Sequence, residues 1–75
     1  MKIVTATLVK SITDDGLVEI HDHVELGKKY EVDLDSISLA EGFNVDKGKY
    51  WQRLIVWTLT GEWLPVELLK IEGRD

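Results

Sequence analysis

The sequence predicts a mainly β protein: a small five-stranded barrel with one short 3₁₀ or helical turn before the last strand. Three observations predict it. Apolar and β-branched residues alternate with polar ones over several runs of the chain, the period-2 signature of a pleated surface. Glycine-bearing turn signals separate those runs, at Asp15-Gly16, Lys47-Gly48 and Thr60-Gly61. The only proline, Pro65, stands where a short strand must stop pairing, because it has no backbone N–H to give a ladder.

Taken in order, residues 2–10 form the first strand, with Val4, Ala6 and Leu8 on one face and Ile3, Thr5, Thr7 and Val9 on the other. Asp14-Asp15-Gly16 is a loop tip, and Leu17-Val18-Glu19-Ile20-His21 returns from it as a short strand. Lys28 to Leu34 is the next strand, Tyr30, Val32 and Leu34 inward, Glu31 and Asp33 outward. Residues 35–42 break that alternation. They read as a continued or bent strand after a bulge, with a short helix capped by Asp35 or Ser36 and ended by Gly42 as the alternative. Turn chemistry at Asn44 and Asp46-Lys47-Gly48 leads into a strand from Tyr50 to Leu59, long enough to bend strongly.

The closing stretch is the most specific. Gly61 permits the positive φ of a tight hairpin, Trp63-Leu64 pair back for two or three residues, and Pro65 ends that pairing. Val66-Glu67-Leu68-Leu69 is too short for a free-standing helix and reads as a single turn. Leu69 and Ile71 then alternate with Lys70 and Glu72 as a last strand, and Gly73-Arg74-Asp75 reads as a frayed tail.

This succession of tryptophan-bearing strand, glycine turn, short strand ending at proline, single turn and closing strand resembles the carboxy-terminal half of a Src-homology-3 barrel. Trp51 stands fourteen residues before Pro65, close to where that family carries its peptide-contacting tryptophan. Val24-Glu25-Leu26-Gly27-Lys28-Lys29-Tyr30-Glu31-Val32 is similar to the family's loop-to-strand entry. The likeness is one of architecture. The family's amino-terminal aromatic box is replaced by Ala6-Thr7-Leu8-Val9-Lys10, and Gln52 follows Trp51 where the family pairs tryptophans.

A single domain over residues 1–75 is all that this length supports, and one of such size buries only about 60% of its unfolded surface. With no cysteine neither a disulfide nor a thiolate-ligated metal can staple it, so packing of three tryptophans, two tyrosines and one phenylalanine must suffice. The amino terminus lacks a signal-peptide pattern, and no apolar run approaches the ~20 residues of a membrane span. A soluble cytoplasmic protein with no membrane contact is the expectation.

Fourteen acids against nine Lys and Arg give a net charge of −5, which disfavours direct nucleic-acid binding. Residues 11–46 hold ten acids against Lys28 and Lys29, a net of −8, whereas Lys47, Lys49 and Arg53 cluster within seven residues. Chemistry-bearing motifs are sparse. His21 and His23 share a strand face, but no third imidazole or cysteine completes a metal site. There is no Gly-x-Ser-x-Gly elbow and no phosphate-binding glycine loop. The sequence therefore implies no enzyme, no metal and no cofactor.

What remains is surface. Trp51, Trp57 and Trp63 recur at six-residue spacing. Trp57 and Trp63 are expected in the core or in cross-strand packing, and Trp51, between Lys49 and Arg53, on the exterior beside Tyr50. The expected function is a non-catalytic interaction module, a small acidic accessory or adaptor protein resembling in style those of phages and mobile elements. Its partner-binding residues would be Tyr50, Trp51, Arg53, Asp14 and Asp15, aromatics holding a protein segment and acids selecting its basic side chains. The alternative is nucleic-acid-related: single-strand binding through Tyr50, Trp51, Lys47, Lys49 and Arg53, or an acidic mimic of DNA. A homo-oligomer is compatible with either.

Overall fold

The computed structural model describes residues 1–72, so the tail expected to fray, Gly73-Arg74-Asp75, lies outside the described residues. Five strands form one antiparallel sheet: β1 (Ile3–Leu8), β2 (Lys29–Asn44), β3 (Lys49–Thr58), β4 (Trp63–Pro65) and β5 (Leu69–Ile71), ordered β4-β3-β2-β1-β5. A 3₁₀ turn, Val66–Leu68, joins β4 to β5 as the sequence predicts. The sheet is all-β and open: no ladder joins β4 to β5 among the described residues, so closure into a barrel is not established.

β1 carries Val4, Ala6 and Leu8 inward, and Ala6 and Leu8 are fully buried. The core joins them to Val24, Tyr30, Val32, Val56, Leu64 and Leu68, with Ile20, Leu34, Val66, Leu69 and Ile71 packed at its edge. Burying side chains of this size contributes about 1.5–3 kcal/mol each. Tyr30 is tolerated there because its hydroxyl accepts the Glu25 N–H at 2.8 Å.

The expected return strand over Leu17–His21 does not form. Its only pairing is an isolated bridge, Ile12 to Glu19. Gly16 does turn the chain, with φ of +74°, but side chains then compete with the ladder for backbone groups. The Asp15 carboxylate accepts from the Thr13 hydroxyl (2.7 Å) and the Leu17 N–H (3.1 Å), and Thr13 Oγ1 accepts the Val18 N–H (3.2 Å). The result is a self-bonded loop.

Residues 35–42 do continue as strand, after an irregularity. Asp33 pairs with Trp57 and Ser38 with Ile55, so four residues of β2 oppose Val56 alone. Ser36 fills the broken ladder: its hydroxyl donates to the Asp33 carbonyl at 2.6 Å and accepts the Trp57 N–H at 2.9 Å. The β1 ladder also ends at Asp33. Beyond this bend β2 pairs with β3 alone, from Ser38–Ile55 to Asn44–Lys49. That two-stranded ribbon has two faces of different character.

Candidate interaction surface

One ribbon face carries Ala40, Gly42 and Asn44 of β2 opposite Arg53, Trp51 and Lys49 of β3. The 11–23 loop packs on it. The Asn44 amide donates to the Leu17 carbonyl at 3.0 Å. Arg53 forms ion pairs with Asp15 and with Glu67, the latter at 2.8 Å. Trp51 lies over Gly42, where a Cβ would approach the indole to 2.6 Å. Its ring stacks on Trp63 (centroids 6.5 Å), Trp63 meets His21 edge-on (4.8 Å), and His21 stacks on His23 (5.4 Å). Ile55 and Val18 are buried on this side, outside the main core cluster. This face is largely closed by the protein's own side chains.

The other face is different. Thr58, Val56, Leu54, Gln52 and Tyr50 share one side of β3. Thr58 and Val56 are buried in the molecule, but Leu54 and Tyr50 are each 55% exposed. Opposite them on β2 stand Leu39 and Phe43, each 60% exposed. The core side of the sheet thus runs out past the end of the core. Leu39–Leu54 and Phe43–Tyr50 form two open apolar pairs, with Glu41–Gln52 between them. The Gln52 amide lies 3.4 Å from both the Glu41 carboxylate and the Tyr50 hydroxyl. The neighbouring Glu41 carboxylate holds the Tyr50 hydroxyl above the ordinary phenol pKa; partial desolvation adds to this and Gln52 opposes it.

Tyr50 and Trp51 therefore do not make a joint surface, since consecutive strand residues point to opposite faces. Trp51 is half-buried rather than on the exterior, and Trp57, expected in packing, is 41% exposed although it pairs across the strands with Trp63. Arg53 and Asp15 are brought together, on the Trp51 face. Asp14 pairs instead with Lys10. Lys47 and Lys49 are exposed beside the ribbon's turn. Sequence reading missed Leu39, Phe43 and Leu54. Alternation at 39, 41 and 43 was the available signal, but the bulge hid which face these residues take.

At the opposite end of β3, Thr58, Thr60 and Glu62 lie with His23, Lys28 and Tyr30 around a hollow of about 490 Å³. Hydrogen bonds from the Thr60 and Thr58 hydroxyls hold the Glu62 carboxyl below its ordinary pKa, with His23 and His21 adding a smaller effect. Among the described residues no group of three or more His, Cys, Asp or Glu is placed to hold a metal ion, and no helix is long and apolar enough to cross a membrane. No protein-family model, curated protein or solved structure matches the chain.

Proposed function

We propose that this chain is a non-catalytic protein-interaction module, an acidic accessory protein that docks a protein partner on the open face of the β2–β3 ribbon. The observation that carries the reading is the pair of uncovered apolar contacts, Leu39–Leu54 and Phe43–Tyr50, on a face continuous with the core. Contiguous exposed apolar patches of this size are often contact sites. Tyr50 keeps the partner-binding role that the sequence assigns it, with Leu39, Phe43 and Leu54 as its companions. We read the fold as a Src-homology-3-like small barrel, supported by β4 ending at Pro65, the 3₁₀ turn and the closing β5.

Single-strand binding has less support. Arg53 is engaged by Asp15 and Glu67, Trp51 on the same face is half-buried against Trp63, and Tyr50 points to the other face, so these groups do not form one open aromatic and basic surface. The test is capture from the native source with the wild-type chain and with Phe43→Thr/Tyr50→Thr, each checked for an unchanged circular-dichroism spectrum. A protein retained by the first and lost by the second is expected. Retention of a single-stranded oligonucleotide at low salt, abolished by Lys47→Glu/Lys49→Glu, would overturn the reading in favour of nucleic acid.

A further inference from the structure

We infer that the occupant of the open ribbon face is a second copy of this chain, in a two-fold dimer that packs ribbon against ribbon; this rests on reading that face as a contact surface. Three features favour a copy. The first is self-complementarity. A two-fold axis lying in the interface along the ribbon sets Leu39 of each protomer against Leu54 of the other and Phe43 against Tyr50, and brings the Gln52 amide of each to the Glu41 carboxylate of the other. Glu41 is the only charged side chain among those six, and Gln52 is the donor an isologous contact needs to satisfy it.

The second feature is charge placement. The net charge of −5 opposes association of like chains, but the acidic loop around Asp15 packs on the opposite ribbon face, through Arg53 and Asn44. Two copies meeting on the open face keep those loops apart, with screening over ~10 Å at ordinary salt.

The third is area. At exposures of 55–60% the four apolar side chains leave roughly 500 Å² open, and Glu41 and Gln52 bring the face past roughly 600 Å². Pairing two such faces buries at most roughly 1,200 Å² in total, the lower end for a stable interface. The ribbon also needs cover. Residues 38–44 and 49–54 form only a two-stranded ladder, and such ribbons are marginal in water when one face stays open.

The experiment is sedimentation equilibrium of the full chain across roughly 1 μM to 1 mM, the range where an interface this small should dissociate. The wild type is expected to pass from monomer to dimer. Leu54→Asp should weaken the dimer by at least about tenfold, since it places a charge in an apolar pair of the interface. Glu41→Gln should strengthen it, because two carboxylates no longer have to be desolvated. A wild type that stays monomeric throughout overturns the inference, as does a dimer that Leu54→Asp leaves unchanged. The contact-surface reading is judged separately by capture: a heterologous protein retained by the wild type and lost by Phe43→Thr/Tyr50→Thr preserves that reading while a copy is ruled out as occupant.

Discussion

Gly42 and Trp51 face each other across the β2–β3 ladder, and the indole lies so close that a Cβ on Gly42 would come within 2.6 Å of its Cζ2. Gly42 thus acts as a seat for Trp51, and Trp63 stacks on that ring. Its φ is not in the left-handed region, so space alone demands the glycine. Gly42→Ala is expected to cost about 1–3 kcal/mol, the usual penalty for overpacking, with an altered tryptophan emission. A urea midpoint equal to that of the wild type would show that the indole moves aside freely.

Leu64 and Leu54 mark the inside and the outside of the core. Leu64 is fully buried opposite Val56, and Leu54 lies two residues along the same face of β3, 55% exposed. Leu64→Ala should lose about 2–5 kcal/mol by lost burial and a residual cavity. Leu54→Ala should stay within about 0.5 kcal/mol in dilute solution. Equal losses at both positions would mean that the core extends beneath the ribbon.

Ser36 holds the bend in β2 by supplying an acceptor for the Trp57 N–H and a donor for the Asp33 carbonyl. Ser36→Ala should cost about 1 kcal/mol and speed hydrogen exchange at the Trp57 amide. Unchanged exchange there would show that water or the shifted ladder replaces the hydroxyl at no cost.

Glu62 makes the β3–β4 turn sensitive to acid. Its folded pKa lies below the ordinary glutamate value, so folding favours the carboxylate. The stabilisation is present above the unfolded pKa and is lost as pH falls through the lower folded value. Thermal unfolding of Glu62→Gln followed from pH 7 to pH 3 should show a shallower fall in melting temperature than the wild type. Parallel curves would remove Glu62 from the acid response.

Much of the fold was legible because local chemistry and tertiary need agree along it. Val4, Ala6 and Leu8 alternate and are buried or half-buried on one face; Gly61 takes φ of +90°; Pro65 ends β4; and Val66–Leu68 is too short to be more than a turn. The 17–21 segment misled because strand-like composition says nothing of the Thr13 and Asp15 side chains that take its backbone bonds. Trp51 is half-buried where exposure was expected, and Trp57, which does pair across the strands with Trp63, is more open than a core residue, for a related reason. Strand parity put them correctly on one face, but how far the 11–23 loop covers that face depends on contacts such as Arg53–Asp15, thirty-eight residues apart in sequence. The open face was hidden by the bulge, since only the register across Asp33 and Ser38 shows that Leu39 faces Leu54.

The open face is tested most directly by urea unfolding at a series of protein concentrations, comparing the wild type with Phe43→Thr/Leu54→Thr. Because association stabilises the folded state by mass action, the wild-type midpoint should rise with concentration while that of the variant stays constant. At the greatest dilution the two midpoints should coincide. A variant that unfolds several kcal/mol earlier at every concentration would contradict this, for it would make Phe43 and Leu54 part of what folds the chain.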